Sequence, residues 1–319
     1  MWTCFFLLSI FYQTVECFGV ELSHHQPKLS KCAEWSSAGI TLANKTFFRA
    51  SPIYIFVDKN NRIYVPDGVL NQLFIWDADK LSLSLILDIS FSIASIYVTF
   101  DGTIYGNNNF DGKIGKINRN GTEDTCTLEF DDGCQALFVD IKNYIYCSMT
   151  YLNQVAKLSL INNDEDLPII VAGNGIAGDA PDMLDEPHGI FVDIHLNLYV
   201  ADILNNRIQF FEFGQMNGIT IAGQSSKPSI NLNNPSDVFL DADYNLFIVD
   251  QSRSRILQLR LQSNTFLCII GCFSNHGTVL DRPLFPSTAA FDSFGNIYVV
   301  DSGNVKIQKF SLLTQLTRK

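Results

Sequence analysis

An all-β chain built from radially arranged repeats is predicted by three observations. A phrase of three apolar residues, an acid, a polar turn, a second apolar run and a second acid recurs six times. The first acid position is held by Asp58, Thr99, Asp140, Asp193, Asp241 and Asp292, and nine residues on stand Asp67, Asn108, Met149, Asp202, Asp250 and Asp301. The second observation is the spacing between copies, 41, 41, 53, 48 and 51 residues, which suits a four-stranded unit rather than a helical pair. The third is the absence of any long amphipathic helical pattern. Four strands in each of six units describe a six-bladed β-propeller, whose radial repetition leaves only short sheet edges.

The elements follow in chain order. Trp2 to Tyr12 is a short apolar stretch, and Val15 and Cys17 stand where a signal peptidase needs small residues, so residues 1–17 read as a secretory signal. The competing reading is an uncleaved membrane anchor formed by residues 2–12. Residues 18–38 form a lead-in, residues 39–313 the propeller and residues 314–319 a tail. In the first copy, Ile55 to Val57, Ile63 to Val65 and Gln72 to Trp76 are β-branched and aromatic runs bounded by Asn, Asp and Gly, as strands are. A fourth strand returns in phrases such as Ile170 to Gly173, Thr220 to Gly223 and Cys268 to Gly271. The sixth copy ends at its third strand, Val305 to Phe310, while Ile40 to Asn44 repeats the fourth-strand phrase ahead of the first copy. That amino-terminal strand is therefore expected to close the last blade and remove an open edge.

Composition narrows the function. Apolar residues make up 47% of the chain and 25 residues are Phe, enough for a sizeable core in one domain. The net charge of −11 and the lack of a Lys/Arg cluster argue against nucleic acid. Export removes Cys4 and Cys17 with the signal and leaves Cys32, Cys126, Cys134, Cys147, Cys268 and Cys272. Cys134 begins a first strand and Cys147 ends the returning second, which puts both at one face and predicts a bridge. Cys268 and Cys272 can pair if the chain bends at Gly271. Asn44 and Asn120 open glycosylation sequons near strand ends. Gly173-Asn-Gly175-Ile-Ala-Gly178 matches a dinucleotide-binding pattern, but no helix can begin in the Pro-rich stretch after it, so it reads as a connecting loop.

Pro187 to Asp193, Asn197 to Asp202 and Asn205 to Gln209 together resemble an NHL repeat, with similar copies at 235–259 and 286–310 and a weaker one at 52–76. Asn108 and Met149 make the second and third copies degenerate. The resemblance spans about residues 40–310, implies the propeller fold and is similar to secreted NHL-repeat proteins, while one fold hosts many activities. Amidating lyases that act on hydroxyglycine peptides share this resemblance and hold zinc with histidines from several blades. The matching positions here are Ile53, Ala94, Gln135, His188, Ser236 and Ser287, one histidine among six. A catalytic zinc takes three protein ligands, so no metal or other cofactor is expected and His188 reads as a satisfied channel-mouth residue. A lactonase would need inward carboxylates, for which Asp237 is the candidate.

The repeated acids themselves read as scaffold: an Asx side chain fixes a turn by accepting backbone N–H groups, and Arg207 and Arg255 are placed to pair with neighbouring Asp residues. Long loops enter the upper face at 174–186, 224–234 and 273–282. With Gln135, His188, Asp237 and Thr288 they predict a polar mouth that holds a protein, peptide or glycan, in a secreted monomer without catalysis. The alternatives are a metal-dependent lyase or lactonase, and an intracellular adaptor of the kind joined to ubiquitin-ligase or RNA-binding modules.

Overall fold

A computed structural model describes residues 26–161, 167–260, 263–272 and 282–313. The expected signal or anchor segment and the tail 314–319 lie outside the described residues, as do residues 273–281 of the third long loop. Among the described residues the chain forms six four-stranded antiparallel sheets and one two-stranded sheet, with no helix long and apolar enough to cross a membrane. Each four-stranded sheet is one blade of a six-bladed propeller. The innermost strands, in order, are Phe56–Val57, Ser95–Val98, Cys134–Val139, Pro187–Val192, Pro235–Leu240 and Pro286–Phe291.

Closure is as the sequence predicts. Ile40–Ala43 pairs with Lys306–Phe310 as the outermost strand of blade six, in the register Ile40↔Lys309 and Ala43↔Ile307. A further strand pair escaped the repeat pattern: Glu34–Trp35 lies against Leu312–Leu313. Trp35 is buried, packs edge-on against Phe247 with ring centroids 5.8 Å apart, and donates its indole N–H to the Gly295 carbonyl at 2.8 Å. Two residues are too few to show strand periodicity, so only the packing of Trp35 reveals this pair.

The lower face is built from the turns between first and second strands. Asp58, Asp140, Asp193, Asp241 and Asp292 each accept the N–H groups two and four residues ahead at 2.8–3.0 Å. The residue between those two donors turns left-handed, as at Asn61 and Gly295, a conformation that Asn and Gly tolerate best. The other carboxylate oxygen takes a Tyr hydroxyl from the second strand in four blades, Tyr64, Tyr146, Tyr199 and Tyr298. Burial first and the nearby carboxylate second push all four phenols well above their ordinary range. The lead-in crosses this face, where Ala242 donates its N–H to the Pro27 carbonyl and Gln26 bonds the Asp241 carbonyl.

Both disulfides form. Cys134 and Cys147 are bridged with Cα atoms 5.0 Å apart, joining the first and second strands of blade three. Cys268 and Cys272 are bridged with Cα atoms 5.6 Å apart, and the bend needed at Gly271 is present as a φ of 75°. The two sequon asparagines are exposed, and each side-chain carbonyl accepts both the N–H and the hydroxyl of its Thr, Asn44 from Thr46 and Asn120 from Thr122.

Candidate binding site at the channel mouth

In blades three to six the pairing of the first two strands slips near its upper end: between Cys134 and Leu137, Pro187 and Ile190, Pro235 and Asp237, and Pro286 and Ala289. Such bulges redirect side chains and recur beside functional sites. Gln135, His188, Asp237 and Thr288 all fall within or at the end of a slip, so one local device places them at the mouth of the central channel. Blades one and two carry no such slip in this pairing.

The channel is closed beneath the mouth. Tyr54 of blade one reaches across it, its hydroxyl 3.5 Å from the Leu137 carbonyl of blade three. Below lie Phe56, Tyr97, Phe138 and Phe191, one from each of four successive blades, with centroid separations of 4.9, 5.3 and 5.1 Å. Rings at this distance favour tilted contacts, and the interplanar angles of 59, 59 and 57° are of that kind. The Tyr97 hydroxyl is satisfied by the Val139 carbonyl at 3.0 Å. A ligand entering from above therefore meets a floor rather than a pore.

Asp237 sits at that floor. Its carboxylate accepts the Val238 N–H at 2.9 Å and, across the blade boundary, the Ala289 N–H at 3.2 Å. A Cβ on Gly189 would come within 2.3 Å of Asp237 Oδ1, so glycine is what lets blade four approach the carboxylate. Burial raises the Asp237 carboxyl to about 7, and the two N–H groups offset only part of that rise. The side chain keeps some accessible surface because it lines the mouth, but protein surrounds it. Burial together with Asp237 drives the Tyr54 phenol far above its ordinary range.

His188 lies beside Gly189 and is half-buried. Burial alone lowers its imidazole to about 4, so the ring is neutral near pH 7. Among the described residues no protein hydrogen bond to its ring is seen, and burial is the one cause of its lowered imidazole pKa. The buried Thr288 hydroxyl also lacks a protein partner. Gln135 is held by Asn109, whose amide donates to Gln135 Oε1 at 3.4 Å.

In blades four to six the second acid of the repeat does more than fix the turn ahead. Asp202, Asp250 and Asp301 each accept the N–H of the residue 17 positions earlier, Asp185, Asn233 and Leu284, at 2.7 Å. Each also holds a cation five residues on: Arg207 at 2.6 Å, Arg255 at 2.7 Å and Lys306 at 3.4 Å. These carboxylates latch the incoming blade connection to the loop between strands two and three. At the degenerate third copy, Met149 cannot do so, and Asp132 of the connection holds the Tyr151 N–H instead at 2.9 Å.

Two concavities open on the upper side. The larger, about 870 Å³, runs along the outer part of blades four and five past Gln209, Thr220, Asn231 and Arg253, and none of the four predicted residues lines it. The smaller, about 230 Å³, lies at the mouth between blades one and two, lined by Ile53, Val69, Ala94 and Phe110 among others. Among the described residues no three His, Cys, Asp or Glu side chains converge as a metal site requires. Among the described residues His188 and Asp237 supply two donors where a catalytic zinc takes three, so they do not by themselves fit such a metal.

This architecture places the chain in the class of six-bladed β-propellers with a plugged channel and a polar upper mouth. Among solved structures it is similar to a gluconolactonase from Xanthomonas campestris, with 13% identity, a TM-score of 0.65, and coverage of 94% of this chain and 99% of that one. It is likewise similar to virginiamycin B lyase from Staphylococcus aureus, with 15% identity, a TM-score of 0.60, and coverage of 88% and 100%. A chain from a nidogen/laminin complex aligns with 16% identity, a TM-score of 0.57, and coverage of 74% and 83%. At these identities the likeness is one of fold. No protein-family model matches the sequence, and no curated protein matches it.

Proposed function

We propose that this protein is a secreted, non-catalytic binding propeller that holds a protein, peptide or glycan at its upper face. The observation that carries the reading is the mouth itself: the half-buried His188 presents an imidazole without a protein hydrogen bond among the described residues, on a ring of strands above the Tyr54 crossing. Unsatisfied polar groups at a concave surface are where a ligand gains hydrogen bonds at little reorganisation cost. Two disulfides suit an oxidising, extracellular setting and count against the intracellular adaptor. The similarity to a chain from a nidogen/laminin complex supports a protein partner as one option.

A second reading is favoured by one observation. Asp237 and His188 are driven to about 7 and about 4 within one mouth, and paired groups with opposed shifts are a mark of acid–base sites. The lyase and gluconolactonase neighbours make elimination or lactone opening the reactions to test. The deciding experiment incubates purified protein with a panel of lactones and cyclic depsipeptides, and in parallel captures ligands from extracellular fluid with wild type and His188→Ala. Retention that His188→Ala weakens, without turnover, supports the binding module. Turnover that is lost in Asp237→Asn replaces it with the enzyme.

A further inference from the structure

The upper loops of blades two to four form a surface whose chemistry selects among those partners. The tips between second and third strands expose Phe110 at 77% and Tyr151 at 70%, and the connection entering blade four exposes Ile176 at 61%. Large apolar side chains grouped in this way mark interaction surfaces, whereas scattered ones do not. The loops that carry them are joined into one face. A Cβ on Gly133 would touch the Asn109 and Phe110 backbone, the Tyr151 N–H is held by Asp132, and the Glu186 N–H is held by Asn153 at 2.9 Å. Asn205 then bonds the Gly178 carbonyl at 2.8 Å and carries the surface across blade four, where Leu204 is also exposed.

Charge on the same loops is one-sided. Segments 107–113, 130–133, 150–153, 173–186 and 203–206 contain seven acids, three in the first two segments (Asp111, Asp131 and Asp132) and four in 173–186, with Lys113 as their single cation. Arg207 is not available to offset them, because it is buried on Asp202 and the carbonyls of Asp179 and Met183. The apolar concavity of about 230 Å³ opens beside Phe110 and has room for one large side chain.

Resting on the binding reading above, we propose that the upper face of blades two to four, with the concavity at its border with blade one, docks a cationic polypeptide segment of another protein, an apolar side chain entering the concavity while Lys or Arg residues face the acids. Complementary potentials raise association rates and reject partners of the wrong sign. A second copy of this chain would set acids against acids, and an anionic membrane surface would meet the same repulsion.

The test uses the full secreted chain and four probes: a labelled peptide alternating Lys and Phe, its Glu–Phe counterpart, polylysine, and vesicles of phosphatidylserine and phosphatidylcholine. The Lys–Phe peptide should bind, and Phe110→Ser with Tyr151→Ser, or Asp182→Asn with Glu186→Gln, should each weaken it by about tenfold, with the acid variant also flattening the salt dependence. Polylysine should bind more weakly, and the Glu–Phe peptide should not bind. Equal binding of the Glu–Phe peptide, indifference to both double variants, or tighter binding to vesicles than to the Lys–Phe peptide would overturn the inference. Failure of the inference alone would leave a ligand captured from extracellular fluid that His188→Ala still weakens. Failure of the binding reading would show as turnover abolished by Asp237→Asn.

Discussion

Replacing Asp237 by Asn should remove a pH-dependent penalty on folding. The carboxyl is raised from 3.8 in the unfolded chain to about 7 in the fold, so the folded state holds its proton more tightly. Stability from this group is therefore full below pH 3.8 and declines as pH rises toward 7, because ionisation is disfavoured by burial. A shift of about three units at roughly 1.36 kcal/mol each gives an upper bound of about 4 kcal/mol, and the surface that Asp237 keeps at the mouth reduces the expected value to about 2 kcal/mol. Asparagine keeps one acceptor for the N–H groups of Val238 and Ala289 and carries no charge. Urea unfolding of wild type and variant at pH 4.5, 6 and 8 isolates the effect. The stability difference should move in favour of the variant by about 2 kcal/mol between the lowest and highest pH. His188 acts in the opposite sense, losing stability as pH falls from 6.5 toward 4, but it is common to both proteins and cancels. A difference that stays constant with pH would refute the reasoning.

Other outcomes follow from the same geometry. His188 should titrate near 4 by NMR, and a midpoint at 6 or above would show that water or a neighbour solvates the ring. Asp202→Ala should cost about 3–5 kcal/mol by chemical unfolding, since it strands buried Arg207 and the Asp185 N–H, whereas Asp67→Ala, which holds only backbone N–H groups, should cost about 1–2 kcal/mol. Replacing Cys134 and Cys147 together by Ser should cost about 3 kcal/mol, the loop-closure value for a separation of 13 residues, as read from thermal or urea unfolding. Gly189→Ala should displace the Asp237 carboxylate, seen as a fall in its titration midpoint toward the ordinary carboxylate range.

The repeat was legible because each blade repeats short, fully buried apolar strands and reverses direction through a turn of fixed length. Asp193, Asn197 and Tyr199 satisfy one another within seven residues, so their chemistry is written locally. The closing strand Ile40–Ala43 was readable for the same reason: it repeats a phrase found in the other blades, and the sixth copy lacks that phrase. The Cys134–Cys147 bridge follows from adjacency of strands that the repeat already orders. Sequence alone thus determined the number of blades and their closure.

Tertiary structure decided what the mouth residues are. The approach of Gly189 to Asp237, the reach of Tyr54 to Leu137 and the latch from Asp202 to Asp185 join segments whose separation in sequence is set by loops of unequal length. No periodic pattern carries such contacts. Trp35 likewise has no repeat partner, and its place is set by the space beside Phe247 and the carbonyl of Gly295. The carboxyl of Asp237 is raised because four blades surround it, and the acids near Phe110, Tyr151 and Ile176 become one surface only when the ring closes. Local sequence specifies strands and turns through short-range sterics and hydrogen bonds, while burial and electrostatic potential are sums over neighbours that the chain acquires only by folding.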